Sequence, residues 1–319
     1  MTLYLVGSPP ASPVPELGET PGETRCRCCP GGVSRSRRTP RYPSDMTDPE
    51  WALIEPTLPT PGWLLGRGGR PGEHCRRDLV DAIRYLVKEG ITWRALPIDF
   101  PPWSSVYYHA AGWQAGGHTR RMHDQLRDQV RIAAGRDPHP TAAIIDSQSV
   151  RAAETVARDQ RGYDAGKKVN GRKRHLAVDV LGNLLVVLVT AAGVQDRDGG
   201  RDLLWRLRAG FRGVQLVWAD GGYAGKLVAW ATATLRLTLQ IVKRTDKLPG
   251  FHVLPRRWVV ERTLSWITRY RRTVRDYERL PQHHETMIYW AMATIMARRL
   301  ARHHRSPALT PAPALRAAA

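Results

Sequence analysis

Two short apolar runs that each lead to an aspartate are the feature of this sequence that most constrains its fold. Ala142 to Ile145 leads to Asp146, and Leu216 to Trp218 leads to Asp220. Runs of this length predict buried strands. In open α/β sheets, ligands bind beyond the carboxyl ends of the strands. A single aspartate in such a place is more often a turn or cap residue, but two on neighbouring strands would converge on one site.

A third acid lies in a strongly cationic segment. Glu261 belongs to the Arg- and Trp-rich run Phe251 to Glu278. Such a helix suits a protein that lays a polyanion against a carboxylate that holds a metal ion. Alternatively, Glu261 and Arg257 form only an exposed i,i+4 ion pair, worth a few tenths of a kcal/mol. The two strand-end aspartates favour the first interpretation.

The segments between these acids predict a regular order of elements. HLAVDV and LLVVLVTA form an antiparallel hairpin around a turn at Leu181, Gly182 and Asn183. A helix capped by Asp198 and ended by Gly210 precedes the Asp220 strand. A helix from about Lys226 to Ala233, the strand LTLQIVKR and the Glu261 helix follow. This order predicts an α/β ribonuclease H-like core, a mixed β-sheet with helices on both faces.

The preceding residues predict a small all-α domain. Thr47 and Glu50 have the spacing of a capping box. Apolar residues at helical spacing predict two further helices, around 79–87 and 122–130, and Ser104 is a candidate cap for another. A helix-turn-helix that grips DNA and a purely structural bundle both fit. We expect a helical domain at 41–136 and a catalytic domain at 137–303.

The two ends of the sequence lack periodicity. Residues 1–40 are rich in Pro, Gly, Ser and Thr, and residues 304–319 are rich in Pro and Ala. Both compositions predict disorder. We further expect residues 1–40 to be dispensable, with translation starting nearer Arg41 or Met46.

Several motifs resemble one family. They are DSQSV at 146, the stretch RGYDAGKKVNGRKRHLAVDV from 161, ADGGYAG at 219 and LPRRWVVERT at 254. Across 41–302 the chain resembles bacterial insertion-sequence transposases of the DDE type, in the insertion sequence five group. The resemblance implies a homo-oligomer that binds terminal inverted repeats and target DNA, and that cleaves and joins strands. DNA-end binding by the helical domain at 41–136 is likewise what the resemblance implies. It also implies a catalytic triad of Asp146, Asp220 and Glu261 that binds two divalent metal ions, Mg or Mn.

The resemblance has one departure. The wider family pattern is Tyr-x2-Arg-x3-Glu-x6-Lys, and here Leu254 replaces the Tyr and Thr268 replaces the Lys. Thr268 can hydrogen-bond a phosphate but cannot neutralise it. Oxygen ligands from three acids still suit hard divalent ions, which use substrate oxygens and water to complete their coordination.

Charge favours a polyanionic partner. The chain has 49 Lys and Arg against 29 Asp and Glu, a formal charge of +20. Counterion release makes nucleic acid the expected partner of such a chain. The candidate DNA contacts lie after Asp146 and around Glu261. A solvated, disordered connection is the alternative for the first group, but its place just after Asp146 favours DNA contact. They are Arg161, Lys167, Lys168, Arg172, Lys173, Arg174, Arg257, Arg262, Arg269, Arg271 and Arg272.

Other classes of site are less well supported. No apolar run of 18 residues and no signal peptide is present, which argues against a membrane partner and favours a cytoplasmic, nucleoid-associated protein. GYDAGKK at 162 lacks the spacing of a phosphate loop, so no nucleotide cofactor is expected. Cys26, Cys28, Cys29 and Cys75 lack the spacing of a zinc site. A catalytically silent DNA-binding relic and a ribonuclease H-like nuclease remain as alternative functions.

Overall fold

The computed structural model describes residues 38–68, 72–242 and 257–305. Four helices come first in the chain. They are α1 (Asp48–Ile54), α2 (Arg76–Glu89), α3 (Trp103–Ala115) and α4 (His118–Ala133). The sheet region follows, with β1 (Ala142–Arg151), β2 (Gly162–Asp164), β3 (Val169–Val178), β4 (Leu184–Ala191), α5 (Asp196–Gly210), β5 (Leu216–Ala219), α6 (Lys226–Leu235) and β6 (Thr238–Ile241). The last helices are α7 (Arg257–Thr268), α8 (Arg271–Val274) and α9 (Pro281–Arg305).

The sheet is mixed and has helices on both faces. Within the described residues it has six strands, in the order β2-β3-β1-β5-β6, and β4 also pairs with β3. β1 is antiparallel to β3 and parallel to β5, which is parallel to β6. Helices α5 and α6 share an apolar cluster with one face, and α7 and α9 share another with the opposite face. The predicted α/β ribonuclease H-like core, preceded by a helical region, is confirmed.

The predicted hairpin is confirmed, but one predicted strand end is wrong. β1 does not end at Asp146; it continues to Arg151 because its antiparallel partner β3 pairs with it as far as Gly171. Its parallel partner β5 stops at Ala219. Asp146 therefore lies in mid-strand, at the point where one of its two neighbouring strands has ended. Helix α5 begins at Asp196, two residues before the predicted cap at Asp198.

Helix α9 joins the helical region to the sheet. Most of its side chains from Met287 to Leu300 are buried. It packs against α4, α1 and α2 on one side and against β4 on the other. A single apolar cluster thus contains Trp51, Trp290 and Val187. The predicted boundary at residue 136 separates two parts of the sequence that share one core.

The capping box forms only in part. Thr47 Oγ1 accepts a hydrogen bond from the Glu50 N–H at 3.4 Å, as an N-cap should. The Glu50 carboxylate does not return to Thr47. It is buried and lies 2.6 Å from Nη2 of Arg84 on α2. Helix α3 begins at Trp103, after Pro102, so Ser104 lies within its first turn and is not its cap.

The folded part begins before the predicted boundary at residue 41. Arg38 Nη2 lies 2.6 Å from Asp45, and its Nε lies 3.2 Å from Asp99. Its guanidinium also lies 4.0 Å from the ring centroid of Phe100. Arg38 is therefore part of the folded structure, three residues before the predicted boundary. The remaining parts of the two segments predicted to be disordered are residues 1–37 and 306–319. They lie outside the described residues. Among the described helices, none is long and apolar enough to cross a membrane.

Candidate active site

The register of β1 and β5 brings two of the predicted acids together. Ile144 pairs with Trp218 in the parallel ladder, and Asp146 and Asp220 each follow two residues later. Burial raises the pKa of Asp146 to about 6, and the negative charge of Asp220 adds to this rise. The Ser147 N–H, at 2.7 Å from Oδ1, opposes it. Asp220 is thus close enough for its charge to affect the ionisation of Asp146.

Asp220 has two roles in this structure. Its Oδ1 accepts a hydrogen bond from the Gly222 N–H at 2.9 Å, so it caps the turn that follows β5. Its Oδ2 lies 3.7 Å from Nη2 of Arg257. Asp220 therefore caps a turn, as a lone aspartate at a strand end is expected to do, and it also contacts α7.

Helix α7 adds the third acid. It packs against β1 and β3, and the Arg257 Nη2 that approaches Asp220 also lies 3.6 Å from Oε1 of Glu261. The i,i+4 pair considered from the sequence exists, but the same guanidinium also connects Glu261 with Asp220. The Glu261 side chain is 53% exposed. Arg257 therefore lies beside both Asp220 and Glu261, and its charge also opposes the rise in the pKa of Asp146.

The turn between β3 and β4 fixes the position of α7. Thr263 Oγ1 donates to the Gly182 carbonyl at 2.8 Å, and Arg262 Nη2 donates to the Leu181 carbonyl at 2.9 Å. Gly182 has φ +84°, and a Cβ there would lie 2.8 Å from Thr263 Oγ1. Only glycine meets both requirements at this turn. The side chain that the sequence assigned to DNA, Arg262, thus attaches α7 to the sheet.

The guanidinium of Arg262 is also enclosed by aromatic rings. It lies 4.3 Å from the ring centroid of Trp258 and 4.6 Å from that of Trp266. Burial lowers the pKa of Arg262, and the positive charge of Arg299 lowers it further. Arg262 is half-buried, and these contacts hold its guanidinium against α7 and the turn.

The donor set fits hard divalent ions in its chemistry. All three side chains offer carboxylate oxygens, the ligands that such ions prefer. Within the described residues, however, no three His, Cys, Asp or Glu side chains lie close enough together to hold a metal ion. Arg257 lies between Asp220 and Glu261, so a positive charge already stands beside both carboxylates. Coordination by all three acids would require this guanidinium to move.

Three of the predicted DNA contacts on β3 are buried. Consecutive residues of a strand point to opposite faces. Arg172 and Arg174 therefore face α8 and the loop after it, where Arg172 pairs with Asp276 at 2.9 Å and Arg174 Nη1 donates to the Thr273 carbonyl at 2.8 Å. Lys173 faces the other way, and its Nζ lies 2.8 Å from Asp196. The prediction that these three side chains contact DNA is wrong in this conformation, because internal partners surround them.

Arg272 is likewise internal. Its Nε donates to Glu278 Oε1 at 2.8 Å, and its Nη1 donates to the Ile91 carbonyl at 2.8 Å. It connects α8 with the end of α2 and is buried. The other predicted contacts remain accessible. Lys167, Lys168, Arg269 and Arg271 are exposed, and Arg161 and Arg257 are half-buried.

Two residues near the acids, Asp196 and Tyr223, were not identified from the sequence. Asp196, at the start of α5, lies near Gly222 and so near the Asp220 turn. The Tyr223 ring is fully buried against Gly200. Burial, and then the charges of Asp146, Asp196 and Asp220, raise the pKa of Tyr223 well above its usual value. The motif ADGGYAG contains Tyr223, but nothing local to it shows which carboxylates the hydroxyl approaches.

Comparisons with known proteins agree with this geometry. The family model described as "Transposase DDE domain" matches residues 137–296, half of the chain. This chain belongs to the DDE transposases of insertion sequences. A second family model, described as "Putative transposase of IS4/5 family", matches residues 46–123 of the transposase.

A curated relative supports the same family assignment. The insertion element IS402 uncharacterized 16.2 kDa protein of Burkholderia cepacia is 35% identical over 111 residues. That match covers 34% of this chain and 73% of the relative. The matched DDE domain contains β1, β5 and α7, the elements that carry the three acids of the transposase.

Proposed function

We propose that this transposase binds the terminal inverted repeats of its element and catalyses metal-dependent strand cleavage and strand transfer. Asp146, Asp220 and Glu261 are the proposed ligands of two divalent ions, Mg or Mn. One observation carries the proposal. The Arg257 guanidinium lies 3.7 Å from Asp220 and 3.6 Å from Glu261, and its positive charge opposes the rise that burial causes in the pKa of Asp146.

Asp146, Asp220 and Glu261 would hold the divalent ions, and the ions, when bound, would supply positive charge for activating the attacking water or 3′ hydroxyl and for stabilising the leaving oxygen in an in-line displacement at phosphorus. The protein supplies the carboxylates and their placement. β1 and β5 hold Asp146 and Asp220 through the parallel ladder, and the β3–β4 turn holds the helix of Glu261. Arg257 provides a positive charge at the same place, which can pair with the phosphate that enters there.

Accessible cations beside this region form the proposed DNA surface. Lys167 and Lys168 lie in the turn between β2 and β3, and Lys167 Nζ lies 3.3 Å from the Ser147 carbonyl, next to Asp146. Arg269 and Arg271 lie where α7 meets α8. Lys88 of α2 donates to the Arg269 carbonyl at 3.0 Å, so this surface continues into the helical region. A DNA end held by the helical region would thus pass directly to the acids.

The triad is tested by removing one carboxylate at a time. We expect D146N, D220N and E261Q each to abolish Mg-dependent cleavage of a plasmid that carries the element's ends. Binding of end DNA should remain within a few-fold, because each change removes a metal ligand while lessening negative charge near phosphate. D202N, which removes an exposed carboxylate from α5, is the matched control. Near-normal cleavage by one of the three variants would remove that residue from the triad.

The same assay separates the transposase from its alternatives. Formation of joined products by the unchanged chain supports strand transfer. Cleavage without joining would instead indicate a nuclease. DNA binding without cleavage in either Mg or Mn would indicate a catalytically silent relic.

The DNA surface is tested by salt dependence. Each phosphate that is neutralised contributes roughly −0.9 to the slope of log affinity against log salt. We expect K168A and R271A each to make this slope shallower by about that amount. An affinity that does not change with salt would contradict the proposed surface.

A further inference from the structure

Lys173 lies on the face of β1 and β3 opposite Asp146, and only 6% of its side chain is exposed. Its Nζ lies 2.8 Å from Asp196 Oδ1, donates to the Val194 carbonyl at 2.8 Å and lies 3.6 Å from Asp164 Oδ2. One ammonium therefore stands between two carboxylates. Asp196 and Asp164 thus already supply the negative charge that a DNA phosphate would otherwise bring to Lys173.

Both of these carboxylates also hold β1. Asp196 Oδ1 accepts from Ser147 Oγ at 2.8 Å, and Asp164 Oδ2 accepts from Ser149 Oγ at 2.6 Å. Ser147 directly follows Asp146. Beyond Ile144, β1 pairs with β3 but no longer with β5, so strand pairing restrains it on one side only. The two serine hydrogen bonds thus fix this part of β1.

Asp164 also makes a hydrogen bond within the turn between β2 and β3. Its Oδ1 accepts from the Lys167 N–H at 3.0 Å, and Lys167 Nζ in turn lies 3.3 Å from the Ser147 carbonyl. The turn that carries the exposed lysines is therefore attached to β1 beside Asp146. Lys168 in this turn has φ +54°, a conformation that non-glycine residues rarely adopt.

We propose that Lys173 is a positioning residue: through Asp196 and Asp164 it holds Ser147 and Ser149, and so fixes both Asp146 and the lysine turn beside it. This inference rests on the proposed function, since it concerns the placement of a proposed metal ligand. A displacement of about 1 Å at such a site can lower a reaction rate about 100-fold. Lys173 therefore matters for cleavage without itself contacting DNA.

The experiment compares K173M, D196N and the double variant in the full chain. We expect each single variant to lower cleavage at saturating DNA at least tenfold, and to raise the Mg concentration needed for half-maximal cleavage several-fold. The salt slope of DNA binding should not change. Because both residues act through one interaction, the double variant should be little worse than either single variant. D202N should cleave normally, and K168M should make the salt slope shallower.

A direct phosphate contact by Lys173 predicts different results. K173M would then make the salt slope shallower by about 0.9. D196N would release the ammonium and raise DNA affinity. Either result would overturn the proposal, as would normal cleavage by D196N. If K173M does not fold, D196N decides the question, because a positioning role predicts lower cleavage with unchanged DNA affinity, whereas a direct phosphate contact predicts higher DNA affinity.

Thermal melting distinguishes positioning from general stability. D196N should cleave poorly even well below its melting temperature. If its activity falls only as it unfolds, the proposal is overturned. Failure of the proposed function itself would look different, since the unchanged chain would then not cleave or D146N would remain active.

Discussion

Replacing Arg172 by methionine tests whether this arginine is part of the interior or of the DNA surface. Its guanidinium is fully buried and donates to Asp276 Oδ2 at 2.9 Å, to the Glu278 and Arg279 carbonyls at 2.8 Å each, and to the Gln160 carbonyl at 3.0 Å. Breaking a buried pair by removing one partner costs about 3–5 kcal/mol, since the other charge stays buried. At about 2–4 °C per kcal/mol for a chain of this size, R172M should melt about 6–20 °C lower.

The pH dependence of R172M provides a second measurement. Burial already raises the pKa of Asp276 although Arg172 opposes that rise. Without Arg172 the folded-state pKa should rise further. A carboxyl whose folded pKa exceeds its unfolded pKa gives stability that is present at low pH and lost as pH rises through the folded pKa. The deficit of R172M in the free energy of unfolding should therefore be larger at pH 8 than at pH 5.

Two controls complete this test. K168M, which removes an exposed lysine four residues away, should change the free energy of unfolding by no more than about 0.5 kcal/mol. R172M/D276N should recover part of the loss, because it also removes the unpaired charge. Denaturant unfolding gives these energies. A loss below about 1 kcal/mol in R172M, together with a shallower salt slope of DNA binding, would refute the structural role.

Two further predictions concern the start of the folded region and the turn below α7. A chain that begins at Arg41 should melt several degrees lower than one that begins at Arg38, because it lacks the guanidinium that pairs with Asp45 and Asp99; equal melting temperatures would contradict this. G182A should lower the free energy of unfolding by more than 2 kcal/mol, roughly the sum of backbone strain at φ +84° and displacement of Thr263. Gly66 has φ +68° and nothing within 4 Å of the position of a Cβ, so G66A should lower the free energy of unfolding only by the backbone strain, about 1 kcal/mol. Equal losses in the two variants would exclude the contact with Thr263.

The order of strands and helices follows from local patterns in the sequence. Apolar runs of four residues, the turn at Gly182 and the alternation of short strands with helical segments are properties of neighbouring residues, so they predict a ribonuclease H-like core without further information. The three acids could be proposed for the same reason, since each follows or lies within one such pattern. The approach of Asp146 to Asp220 could be expected from the rule for parallel strands.

Long-range register decided the roles of the basic residues. Arg172, Lys173 and Arg174 form one basic run in the sequence, but strand pairing directs alternate side chains to opposite faces, and α5 and α8 enclose both faces. Nothing within the run shows that Asp276 lies 104 residues away in the chain and 2.9 Å away in space.

The same reason applies to the limits of the domains. α9 is last in the sequence but packs among the first helices, and Arg38 binds Asp99 across 61 residues. Composition at the start of the chain indicates how little apolar surface those residues can bury, but it does not show which charges they meet. The sequence by itself thus determined the elements and the chemical groups that they carry. Only the tertiary structure decided which cations face solvent and which neutralise buried acids, because that choice depends on partners distant in the chain.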